Sequence, residues 1–172
     1  MNQLIALVFD DPYKADEARA ALFRMEGEGL LDIDETAVVV RKEGGRVRIT
    51  QDINIVSKRK QTGHLIGLIA ANVTGTMPFI LAGTIAGKIF GDLTDNGVTN
   101  DFIDRVKKEL APGKSALLLC ARAEEEGRRR IVERLLPWNP RVLDSDLPED
   151  LESSIDKALL QAEAASARAE HT

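Results

Sequence analysis

Two carboxylates stand side by side in "FDDP", where Asp10 and Asp11 follow an apolar run. Such a pair can divide general-acid and general-base work when its surroundings push the two pKa values apart. The same place suits a plainer duty, with Asp11 capping a helix and Pro12 at its first position. The residue pattern favours the cap. His64 borders an apolar stretch and His171 lies near the chain end, and no cysteine or second histidine stands at metal-ligand spacing from either. No metal site is expected. Asp32, Asp34 and Glu35 read as a short acidic loop that lacks the turn glycine of a calcium loop. Cys120, the one cysteine, sits in "SALLLCA" and reads as a small buried hydrophobe. A lone cysteine offers no intramolecular disulfide, which fits a reducing cytoplasm. These residues predict a protein that is not an enzyme and holds no cofactor.

The chemistry-bearing residues are sparse, but the glycines are patterned. "GHLIGLIAANVTGTMPFILAGTIAGKIFG", residues 63–91, carries a single charge, Lys88, in a chain where 30% of residues are charged. Small residues recur every four positions: Gly63, Gly67, Ala71 and Gly75, then Gly83, Gly87 and Gly91. On a helix this spacing lines one face with small groups and lets another backbone approach closely. No G-x-G-x-x-G follows a strand and no P-loop lysine is present, so nucleotide binding is not expected. The competing reading is a helical hairpin that packs on itself inside a soluble domain.

From Leu65 to Gly87 there are 23 residues without a charge, long enough on length alone for a tilted transmembrane helix. The elements on either side argue against one crossing, because strands of one sheet must lie on the same side of a membrane. A bend at "TMPF", around Pro78 and Phe79, instead gives two arms of about 13 residues, each roughly 20 Å long and short of the hydrocarbon core. The expected site is therefore a self-association surface made of Gly63, Gly67, Ala71, Gly75, Phe79, Gly83, Gly87 and Gly91. The expected partner is a second copy of the chain, with membrane lipid at the inner face of the cell membrane as the alternative. Lys58, Arg59 and Lys60 just upstream suit anionic lipid on that alternative.

The positioning elements follow from periodicity. "QLIALVF" is a strand covered on both faces. A helix follows, with Ala15, Ala18, Leu22 and Met25 on one side and Gly27 or Gly29 at its end. "TAVVVRK" and "RVRITQD" flank Glu43, Gly44 and Gly45 as a β-hairpin, the second strand having one wet face. "TNDFIDRVKKELAPG" is an amphipathic helix with Phe102, Val106 and Leu110 inward, stopped at Pro112 and Gly113. "KSALLLCAR" is a strand, and "EEEGRRRIVERLLP" a helix whose Glu–Arg pairs at i,i+4 mark a solvated face. "RVLDSD" is a short strand. Asp146 and Glu149 then have capping-box spacing ahead of a stripe of Leu151, Ile155, Leu159 and Ala162.

This order, β-α-β-β-(insert)-α-β, predicts an α+β, ferredoxin-like sandwich over residues 1–147, with the apolar hairpin inserted at 63–91 and a C-terminal strand and helix extension. Residues 148–172 form the C-terminal amphipathic helix and tail. With 172 residues and 44% hydrophobic content, the chain is long enough to bury one core. A net charge of −5 and a pI near 5.2 exclude a general nucleic-acid binder.

In sequence order, "FDDPYKADEA", "DIDETAVVVRKEGGRVRI", the glycine-spaced segment leading to "GDLTDNGVTNDFIDRV", and "LAPGKSALLL" together resemble the bacterial family labelled domain of unknown function 1269. The resemblance runs from about residue 3 to about 147. It implies a predicted membrane protein with a hydrophobic, glycine-rich centre, and it supplies no catalytic residues.

Overall fold

The structure, a computed structural model, describes residues 3–53, 65–75, 97–146 and residue 168. Five strands are present: β1 (Gln3–Phe9), β2 (Asp32–Arg41), β3 (Val47–Ile53), β4 (Ser115–Arg122) and β5 (Arg141–Asp146). The helices are α1 (Lys14–Gly27), α2 (Leu65–Thr74), α3 (Gly97–Glu109) and α4 (Glu125–Leu135), the last running into a 3₁₀ turn at Leu136–Trp138. The strands form one sheet in the order β3-β2-β4-β1-β5, and every ladder is antiparallel.

The mixed α and β elements expected from the sequence are present, and the sheet order differs from that of a ferredoxin-like sandwich built from β1 to β4 alone. Among β1 to β4, a ferredoxin-like arrangement would place β3 between β1 and β2. Here β4 takes that place and β3 is an outer edge, while β5 pairs with β1 at the other edge. The physical reason lies in the side chains. From Ser115 to Ala121 β4 is buried throughout, so both of its faces need cover and both of its edges need a partner. In β3, arginines alternate with Val47 and Ile49, and Ile49 is 37% exposed, which suits a strand with one wet face.

The sheet carries helices on both faces. On one, Leu7, Phe9, Val38, Val40, Leu117 and Leu119 meet α1 and the end of α4. On the other, Leu4, Ala6, Ala37, Val39, Leu118 and Cys120 meet α2 and α3, whose Phe102, Ile103, Val106 and Leu110 point inward as their spacing predicts. The β2–β3 turn is closed by Lys42 N–H to the Arg46 carbonyl at 2.8 Å, and Gly45 supplies the positive φ that the turn requires. At the start of α1 the reading shifts by two residues. Tyr13 is the N-cap, and the Asp11 carboxylate accepts from Tyr13 N–H at 2.7 Å and Lys14 N–H at 3.2 Å, so Pro12 lies before the helix.

Residues 63, 79, 83, 87 and 91, the expected bend at "TMPF", the 147 boundary and the expected C-terminal helix lie outside the described residues; of residues 63–91, those at 65–75 are described.

Candidate functional site

The first arm of the apolar segment is held by a residue read as part of an acidic loop. Asp32, Asp34 and Glu35 belong to β2, where a register irregularity between Ile33 and Glu35 turns consecutive acidic side chains inward. Glu35 is 1% exposed, and its Oε2 accepts the Ile66 N–H at 3.1 Å. Helix starts leave N–H groups without intrahelical partners and carry partial positive charge, so a carboxylate there is favourable on both counts. Asp34, also buried, accepts from Arg122 at 3.3 Å, with Asp32 more distant at 3.8 Å from the same guanidinium. The partners of these acids lie 31 and 88 residues away, so no local pattern announces them.

From that anchor, α2 packs Ile66, Ile69, Ala70 and Val73 into the core against the sheet and α3. The Thr74 hydroxyl donates back to the Ala70 carbonyl at 2.9 Å. Gly75 then ends the helix with φ +71°, a left-handed C-terminal conformation in which glycine carries no Cβ penalty. Of the expected self-association residues, Gly67 and Ala71 lie within α2 and Gly75 just past it. At 3.6 residues per turn, Gly67 and Ala71 fall on a stripe distinct from that of Ile66, Ile69, Ala70 and Val73. Gly63, Phe79, Gly83, Gly87 and Gly91 lie outside the described residues.

The paired carboxylates at the end of β1 are separated by their partners. Asp10 pairs with Lys114 at 2.9 Å, and the Lys114 hydrogen bond and charge hold its carboxyl below the usual carboxylate range. Asp11 caps the approach to α1. Its carbonyl accepts the Ser115 hydroxyl at 2.5 Å, and the same hydroxyl oxygen accepts Ala15 N–H at 3.3 Å. This is the geometry of a helix start rather than of an acid–base pair. Cys120 is buried in the core. Of the Glu–Arg pairs expected along α4, Glu126 bridges Arg130 at 3.1 Å and also Arg129 at 2.9 Å, on an exposed face. Among the described residues no group of three His, Cys, Asp or Glu side chains is placed to hold a metal, and no helix is long and apolar enough to cross a membrane.

A concavity unforeseen in the sequence lies on the α1 face of the sheet. It has a volume of about 250 Å³ and lies between β1, β4, α4 and β5, with Ile5, Leu7, Leu22, Leu119, Ile131 and Leu135 among its walls. The α4 end is tied to α1 through the Trp138 indole N–H, which donates to Glu17 at 3.0 Å. At its other end α4 crosses the loop after α1 so closely that a Cβ on Gly127 would stand 2.2 Å from the Leu30 carbonyl oxygen.

Neither the curated proteins nor the solved structures contain a match to this chain. A family model does match residues 60–160, a span that takes in α2, α3, β4, α4 and β5. With more than half of its length matched, including the anchored helix and the two helices and two strands that follow it, the chain belongs to the family described as "Protein of unknown function (DUF1269)".

Proposed function

We propose that this chain is a non-enzymatic protein that self-associates through its glycine-spaced segment, with cytoplasmic location and no cofactor or nucleic-acid partner. The scaffold on this reading is ferredoxin-like, formed by β1, α1, β2, β4, α4 and β5, with β3, the apolar segment and α3 inserted between β2 and β4. The strand order β2-β4-β1-β5 within the sheet supports that arrangement.

The observation that carries the functional reading is the division of α2 into two stripes. Three of its large aliphatic groups, Ile66, Ile69 and Val73, are used inside its own domain. The four-residue series Gly67 and Ala71 runs along a different side of the helix, where close approach by a second glycine-spaced helix needs small residues. On this reading Gly83, Gly87 and Gly91, with the same four-residue spacing, supply the matching series, and Phe79 lies between the two series in the sequence. Replacing Gly83 and Gly87 together by Leu is expected to break the oligomer. Light scattering reads the mass, and an unchanged mass overturns the reading.

The second reading, in which the segment enters the membrane interface, is favoured by Lys58, Arg59 and Lys60 ahead of 23 uncharged residues. The anchoring of α2 limits it. With residues 65–74 committed to the domain, only residues 76–87 remain uncharged before Lys88, a length of about 18 Å even as a helix against roughly 30 Å of hydrocarbon. Fractionation without detergent separates the two: a chain that pellets with membranes and is released by detergent supports the interface, and one that stays in the supernatant as an oligomer supports self-association.

A further inference from the structure

The apolar concavity beside β5 has an open mouth. Val132 on α4, Leu136 in the 3₁₀ turn that follows it, and Val142 on β5 all line it and are 56%, 65% and 52% exposed. Aliphatic side chains so exposed and so close together form a patch rather than scattered surface residues. Among the described residues that line it, Asn139 is the one polar side chain, against the few converging polar groups that orient a small-molecule ligand.

β5 ends at Asp146, as the edge strand paired with β1, and Val142 of that strand stands in the lining. Asp146 has capping-box spacing to Glu149, and the 26 residues after it carry the stripe Leu151, Ile155, Leu159 and Ala162. As a helix, that stripe is about 17 Å long, against about 16 Å for the 11 residues of α4. Charge agrees with this placement. Residues 147–172 hold six acidic side chains to two basic, whereas α4 holds four arginines to three glutamates.

We propose that the C-terminal segment docks in cis over this concavity, its stripe running alongside α4 and covering Val132, Leu136 and Val142. It would thereby serve as the missing cover of the α1 face of the sheet. This surface is separate from the glycine-spaced segment, so the proposal stands independently of self-association.

The test uses the full chain with Val132→Cys, a surface substitution, and follows maleimide labelling of that thiol; the native Cys120 is buried. Adding Ile155→Asp and Leu159→Asp is expected to speed labelling about tenfold or more, because each side chain withdrawn from apolar contact is worth about a factor of ten. Ser153→Asp, off the stripe, is expected to leave the rate unchanged. The converse variant, Val132→Asp, is read by limited proteolysis, with faster cleavage after residue 146 expected. Equal labelling rates with and without the stripe substitutions overturn the proposal. So does protection that disappears on dilution, which would place a second copy over the patch, and so does an equal effect from Ser153→Asp.

Discussion

Helices α1 and α2 start on opposite faces of the same sheet, and each start is met by a buried polar side chain from a strand. For α1 the group is the neutral Ser115 hydroxyl, which accepts Ala15 N–H; for α2 it is the Glu35 carboxylate, which accepts Ile66 N–H. The local sequence around the two differs more than the geometry does. α1 has Asp11 bonded to the N–H groups at its entry, and Asp16 and Glu17 in its first turn. α2 has no acidic residue in its first turn and no charged side chain along its length. A helix that carries its own capping chemistry needs little from the rest of the fold, whereas a uniformly apolar one must be told where to begin. The buried glutamate does that for α2, fixing which end of the apolar segment belongs to the domain.

The largest expected effect tests whether α2 belongs to its own core. Ile69→Ala removes a side chain that is 0% exposed, and is expected to cost about 2–5 kcal/mol in denaturant unfolding, the range for buried Ile to Ala. If α2 were instead a surface or lipid-facing helix, the cost in the isolated chain would be near zero, and the contrast with α1 would collapse. Glu35→Ala comes next. It removes a charge-assisted hydrogen bond from a buried N–H and leaves that N–H without its carboxylate, for about 1.5–3 kcal/mol. The amides of Ile66 and the following turn should then exchange faster than the rest of the domain; uniform loss of protection would mean that Glu35 supports the sheet generally and not the helix start.

Ser115→Ala makes the same kind of deletion on the other face and is expected to cost about 1 kcal/mol, near the mean for a neutral hydrogen bond. The ordering of these two substitutions is the point of the measurement. Should Ser115→Ala cost as much as Glu35→Ala, local capping by Asp11 gives α1 no independence, and the difference between the helices would be one of composition only.

The same contrast explains how far the sequence could be read. Elements came through wherever the signal was local: β1 and β4 from their apolar runs, the β2–β3 turn from Gly44 and Gly45, α3 from Phe102, Val106 and Leu110. Strand order did not, because an apolar run announces burial on two faces without naming its neighbours. Nothing near β4 says that β1 and β2, rather than β3, will flank it. The acidic "DIDE" reads as a loop for a related reason, since Asp34 and Glu35 take Arg122 and Ile66 as partners, which only the fold brings near. Of the glycine series, Gly75 has a local cause in its positive φ, a requirement that four-residue spacing alone does not reveal.

Asp10 gives the smallest effect, and one that depends on pH. The hydrogen bond and charge of Lys114 lower its pKa, despite its exposure at the end of β1. A carboxylate whose folded pKa is depressed adds stability that is fully present above its unfolded value. That contribution fades as pH falls through the lower, folded value. Asp10→Asn should therefore leave the midpoint of denaturant unfolding nearly unchanged at the acid end and lower it slightly at neutral pH, flattening the profile between the two. In an NMR titration of the carboxyl, Lys114→Met should return Asp10 toward the usual range. A titration unmoved by that substitution would assign the depression to Arg141 or Lys14, the weaker positive charges nearby, and would detach Asp10 from the turn that leads into β4. Because Asp10 is exposed, added salt should reduce the effect, which distinguishes it from the buried Glu35 anchor.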